Sequence, residues 1–169
     1  CLWLLSRPWV AALLLAAATW IKVWPAALLL AAVVVTRRRL ALLGAAAALS
    51  TIVVAVVVAV GGGAHQFGFV FDQTERGLQI EAPVSAFWLW RAALGAADSR
   101  VYYDDEILTW QVAGPGVSAV SDAMTPVLVA AVAVVTLVGA VRVRRGIPFL
   151  RVFPALALSL VLVFIVTNK

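Results

Sequence analysis

Three residues of this chain stand where their side chains could do chemistry: Lys22, Arg76 and Glu81. Lys22 lies inside an apolar segment, between Trp20 and Trp24. A lysine in such a segment is costly in hydrocarbon and marks a functional site by default. The plain alternative is that it snorkels to the interface beside the two indoles. A functional Lys22 would be a fixed cation facing the outer leaflet, where lipid-linked phosphate is the anion to expect. Arg76 opens the run Arg76-Gly77-Leu78-Gln79-Ile80-Glu81, followed by Ala82-Pro83. Its guanidinium is a planar donor fork suited to phosphate or carboxylate. Gly77 lets the backbone turn sharply or approach a ligand closely. Glu81 could bind sugar hydroxyls, orient Arg76 or act as a base. A solvated turn with an incidental Arg76–Glu81 ion pair explains the same residues.

Other reactive groups offer less. His65 is the only histidine and by itself makes no metal site. Asp104-Asp105-Glu106 could bind a divalent cation, but the tip of a solvated hairpin accounts for it as well. Asp72 and Glu75 flank the main motif and tune its charge. A single cysteine, Cys1, excludes an intrachain disulfide and a multi-cysteine metal site. No glycine-rich phosphate loop and no nucleophile–histidine pair stands out, so neither a metal nor a cofactor is expected.

The elements that must position these groups are apolar. Of 169 residues, 64% are hydrophobic, and the mean hydropathy is +1.06. Soluble domains lie near 45–50% apolar, and uninterrupted apolar runs of about 18 residues or more indicate spans. The net charge of +5 does not point to nucleic acid. All eight acidic residues lie between Asp72 and Asp122, together with only Arg76, Arg91 and Arg100. Arg7, Arg37-Arg38-Arg39 and the group Arg142, Arg144, Arg145 and Arg151 sit in short connections, as basic residues do on the cytoplasmic side. The expected class is an all-α polytopic membrane protein. Residues 9–36 form either a hairpin of two short helices turning at Lys22–Pro25 or one long helix kinked at Pro25. Arginines at both ends favour the hairpin, whose arms would be too short to cross a hydrocarbon core. Residues 40–60 are a charge-free span running outward. Residues 61–122 make an extracytoplasmic loop region of about 60 residues. Spans follow at 123–141, with Pro126 in the first turn, and at 147–166, kinked at Pro154. Within the loop, Pro83 starts a helix over 83–97. Its stripe of Phe87, Trp90, Leu94 and Ala97 suits either the membrane interface or packing on the spans. Residues 107–112 read as one short strand, and Gly114-Pro115-Gly116 as a turn. No internal repeat supports an inverted-repeat transporter.

Three segments resemble glycosyltransferase family 87. Ile21-Lys22-Val23-Trp24-Pro25, followed by an apolar run ending in Arg37-Arg38-Arg39, is similar to that family's "IK-aromatic-P … RRR" segment. The run Arg76–Glu81 is similar to its "RGLQIES" motif, with Ala82 where serine is usual, and Thr167-Asn168-Lys169 resembles the start of its "NK…SPQY" stretch. The resemblance implies a GT-C-type transferase, expected as a multi-pass protein of a bacterial plasma membrane. Its donor would be a polyprenyl-phosphate-linked sugar, often mannose, and its acceptor a glycolipid or glycan. The chain would be a C-terminal fragment, with the catalytic Asp upstream. Lys22 and Arg76 would hold the departing lipid phosphate, with Lys169 a third candidate. Gln79 and Glu81 would hold sugar hydroxyls or brace Arg76, and interfacial aromatics would line the polyprenyl groove. The competing reading is a transporter or flippase of a lipid-linked anion using the same cations, or a non-catalytic membrane subunit.

Overall fold

The computed structural model describes residues 7–63 and 77–169. The chain is mostly helical, and among the described residues three helices are long and apolar enough to cross a membrane: α3 (Arg39–Ala59), α5 (Val117–Arg144) and α6 (Phe149–Val166). They mark a membrane-embedded protein. The chain divides into two compact units, residues 1–66 with 132–162 and residues 67–131 with 163–169.

In the first unit, residues 9–36 fold as two helices, α1 (Pro8–Ile21) and α2 (Pro25–Val35), separated by Lys22–Trp24. Each begins with proline, whose missing N–H costs nothing in a first turn and whose fixed φ suits it. Lys22 leaves the helix in an extended conformation, and its amide still donates to the Ala18 carbonyl at 2.9 Å. α1 packs on both α2 and α3. The contact surfaces are built from small residues: Ala11, Ala12 and Ala16 are buried on α1, and Ala27, Ala31 and Ala32 on α2. Small side chains let helix backbones approach closely, which is how apolar helices associate where no hydrophobic effect drives them. Trp20 Nε1 donates to Ser50 Oγ at 3.1 Å and ties the end of α1 to α3. In the same unit the later part of α5 meets the start of α6, where Leu156 packs over Gly139.

The second unit departs from an all-α expectation. It contains an antiparallel hairpin, β1 (Arg100–Asp104) and β2 (Thr109–Ala113), in the register Tyr102↔Gln111 and Tyr103↔Trp110. The strand expected at 107–112 is therefore the second half of a hairpin, entered through Leu108 at φ 52°. The helix expected over 83–97 is shorter. Pro83–Ser85 forms a 3-10 turn, and α4 covers only Ala86–Ala93. It stops because Gly95 takes φ +79°, with Gly95 N–H donating to Ala92 and Ala96 N–H to Arg91. These are the two bonds of a Schellman cap, for which glycine has no steric penalty. α5 begins at Val117, six residues before the expected start, so Pro126 lies within the helix. Packing supplies the reason: Val117 and Val120 rest against the buried cluster of Leu78, Ala82, Trp88 and Val112. α6 likewise continues through Pro154.

Candidate functional site

The Gly77–Glu81 motif docks on the hairpin. Val112 N–H donates to the Leu78 carbonyl at 3.0 Å, and Ile80 N–H donates to the Trp110 carbonyl at 3.1 Å. These two bonds bracket an isolated antiparallel bridge between Gln79 and Gln111, through which the motif lies alongside β2 of the two-stranded sheet. Such a pair, flanked by its bonds, is the non-hydrogen-bonded kind with closely spaced side chains. Alternation then fixes which residues do what. Leu78 turns into the core and is 0% exposed. Gly77 and Gln79 fall on the face that carries Gln111 and Tyr102.

Gln111 is the centre of that face and is 3% exposed. Its Nε2 donates to Asp104 Oδ2 at 2.8 Å, and its Oε1 accepts from the Tyr102 hydroxyl at 3.2 Å. A Cβ on Gly77 would run into Gln111 Oε1, so the motif's glycine is there to let the strand lie over a buried amide. Asp104 Oδ1 accepts the amides of Glu106 at 3.0 Å and Ile107 at 3.4 Å. The acidic run therefore closes the hairpin turn, and one of its carboxylates is committed to the fold. Among the described residues no group of three His, Cys, Asp or Glu could hold a metal ion.

Beside this face is a cleft of about 370 Å³, bounded by Gly77, Tyr102 and Gln111 on the sheet side and by Ser118, Ser121 and Asp122 of α5. Its polar lining consists of amide, phenol, hydroxyl and one carboxylate, with no basic side chain among the described residues. Such a surface suits a neutral ligand rich in hydroxyls. Gln79 stands one strand out from Gln111, half-buried, with its side chain in no hydrogen bond among the described residues. Glu81 is exposed and makes no ion pair among them. Arg76, the residue before Gly77, lies outside the described residues, as do His65, Asp72 and Glu75, so the Arg76–Glu81 pair has no observed geometry. Lys169 follows α6 in this unit, half-buried and already engaged.

Lys22 belongs to the first unit. It is exposed at the α1–α2 connection, with Ile21, Val23 and Trp24 also exposed around it, and forms no ion pair among the described residues. Its level is set by the Trp20–Ser50 bond. Ser50 is about midway along α3, roughly 16 Å from Arg39 at 1.5 Å per residue.

A second set of contacts braces the sheet. Trp88 Nε1 donates to the Pro115 carbonyl at 3.0 Å, and the indole fills the space over Gly114, where a Cβ would come within 2.5 Å of Trp88 Cδ1. Arg91 donates to both carboxylate oxygens of Asp98 at 2.7 Å and, through Nε, to Ser99 Oγ at 3.1 Å. The Arg91 hydrogen bond holds the Asp98 carboxyl below its ordinary value. With Trp88 inside, the Phe87–Trp90–Leu94 stripe faces out; Trp90 is 69% and Leu94 82% exposed. Gln111, Tyr102 and Asp122 are not candidates on sequence grounds. The only available signal is the alternation of Tyr102 and Asp104 along one strand and Gln111 along the next, which needs the hairpin register to become a site.

The class that the fold defines is a helical, membrane-embedded protein with a small sheet-bearing unit. Comparison with family models, curated proteins and solved structures finds no match for the chain.

Proposed function

We propose that this chain is part of an integral-membrane hexosyltransferase of GT-C type. It would transfer a hexose, mannose foremost, from a polyprenyl-phosphate donor to a glycolipid or glycan on the extracytoplasmic face. The resemblance of Ile21–Pro25, Arg37–Arg39 and Arg76–Glu81 to glycosyltransferase family 87 supplies the chemistry. The observation that carries the reading is the Gln79–Gln111–Tyr102 row. It brings Gly77 and Leu78 of the motif into the wall of a cleft whose polar lining is amide, phenol and hydroxyl groups with one carboxylate, Asp122. Amides and hydroxyls both donate and accept, which is what adjacent sugar hydroxyls require.

In this reading the cleft takes the sugar and the cations take the phosphate. Arg76 is the first phosphate ligand, with Lys22 and then Lys169 as further candidates. Positive groups aimed at the departing phosphate stabilise charge that develops in the transition state. Gln79 and Glu81 hold sugar hydroxyls or brace Arg76. The acceptor hydroxyl must lose its proton to a carboxylate, and none of the residues described above is assigned that role.

The test is transfer of a radiolabelled hexose from polyprenyl-phosphate donor in membranes carrying the protein. Arg76→Ala and Lys22→Ala should each lower kcat/KM by the equivalent of about 2–5 kcal/mol, the scale for losing a buried charged contact. Intact transfer in both variants would remove the phosphate roles. Donor binding without transfer to any acceptor would favour a flippase of the same lipid-linked anion.

A further inference from the structure

The α1–α2 hairpin is too short for the helix it packs on. α1 has 14 residues and α2 has 11, about 21 and 16 Å long, against about 31 Å for the 21 residues of α3. Trp20 is held level with Ser50, so Lys22, two residues on, ends about 10 Å short of the C-terminal end of α3. Two features of the tip are incompatible with hydrocarbon at that depth. Lys22 carries a charge with no counter-charge among the described residues. The amides of Val23 and Trp24 donate to no acceptor among the described residues, since the bonds at this turn run instead from Lys22, Ala26 and Ala27. In a bilayer, irregular backbone is tolerated only inside protein or beside water. Ile21, Lys22, Val23 and Trp24 are all exposed, so protein within this unit does not cover them.

We infer that water reaches the hairpin tip through a local depression of the bilayer on the side where α3 ends, and that Lys22 holds one phosphate-type oxyanion there. The anion is either the headgroup of a lipid lying in the depression or a free phosphate entering with the water. The chemistry is shared: a compact ammonium with three donors, below the ordinary headgroup level, next to unsatisfied amides. This deepens the transferase reading and rests on it only for the expectation that the anion arrives on a lipid.

Lys22 and Lys169 lie at opposite ends of the chain, so peptide mapping reads an amine-reactive adduct at the tip by itself. The full protein is reconstituted in phosphatidylcholine vesicles with a water-soluble, membrane-impermeant succinimidyl ester on both faces. Adducts are followed by peptide mass spectrometry, and vesicles given the same negative charge by a fatty-acid carboxylate instead of a phosphate correct for surface potential. Lys22 should be modified to completion under conditions that modify it in the unfolded chain. Admixture of phosphatidic acid should then slow the Lys22 rate relative to those carboxylate vesicles, by about tenfold once the lipid is present at ten times its Kd. Slowing by phosphatidic acid and not by inorganic phosphate assigns the anion to a lipid; slowing by both assigns it to phosphate from either source. No modification of Lys22 in neutral vesicles overturns the water-filled depression, and modification that neither anion slows overturns the anion site. Sugar transfer is not read in this experiment. A negative result therefore leaves the transferase reading standing, and protection of Lys22 in a protein without transfer activity would do the converse.

Discussion

Replacing Gly77 by alanine tests whether the motif is seated on Gln111. The φ of Gly77 lies outside the left-handed region, so alanine can adopt this backbone. By itself that change should stabilise the chain by about 0.4–1 kcal/mol, through the unfolded state. The obstacle is the Gln111 amide, which the new methyl would strike. Gln111 cannot swing aside freely, because it is buried and tied to Asp104 and Tyr102. Displacing it gives up two hydrogen bonds worth about 1 kcal/mol each, and forcing in a methyl without displacement costs about 1–3 kcal/mol. Gly77→Ala should therefore destabilise the second unit by about 2 kcal/mol. Gln111→Ala alone should cost a similar amount. In the double variant the methyl introduced at position 77 fills space that the amide has vacated, so its stability should equal that of Gln111→Ala or exceed it by up to about 0.4–1 kcal/mol, the gain through the unfolded state. The coupling is then about 2 kcal/mol, well beyond the scatter of independent sites. Thermal unfolding of the full protein in detergent, with limited proteolysis of residues 77–122 as a second probe, measures all four corners of the cycle. An additive double variant, or a neutral Gly77→Ala, would refute the argument that this glycine exists for the buried amide.

Three further outcomes follow from the same unit. Leu78→Ala should cost about 2–5 kcal/mol by leaving a cavity at a fully buried position, and urea unfolding followed by Trp fluorescence would measure it. Trp88→Phe keeps most of the packing but removes the bond to Pro115, so a loss of about 1 kcal/mol is expected; a much larger loss would mean that ring shape, not the bond, matters there. Because the Asp98 carboxyl is held below its ordinary value of 3.8, mainly by its hydrogen bond from Arg91, its contribution to stability is fully present above that value. It is lost as pH falls through the lowered folded-state value. Acid unfolding curves of Asp98→Asn and the parent should therefore converge at low pH, and a difference that grows below pH 3.8 would contradict the pairing.

How far the sequence leads can be judged residue by residue. The spans are legible because membrane crossing is set by length and hydropathy along one segment, and α3 coincides with its expected run to within a residue or two. The basic clusters at its start and at the α5–α6 connection are equally plain. The end of α4 is not legible, because Ala96 and Ala97 continue a helical stripe, while the stop depends on Gly95 adopting a left-handed conformation and on Arg91 reaching Asp98. The early start of α5 is hidden because its first turns are polar on one side, and only the cluster around Leu78 and Trp88 gives Val117 and Val120 something to pack against. Glu81 stands out by its chemistry and lies exposed in the turn, whereas Leu78, chemically silent, is the residue that anchors the motif.

Sequence by itself determined that this is a helical membrane protein, that Lys22 interrupts an apolar segment, and that polar chemistry is concentrated between the third helix and the fifth. Those properties are local, since each is a sum or a break along contiguous residues. Tertiary structure alone decided that Gln79 lies opposite Gln111, that Gly77 covers a buried amide, and that Lys22 stops short of the end of α3. Each of these depends on strand register or helix packing between residues far apart in the chain, where a shift of one position would turn every side chain to the other face.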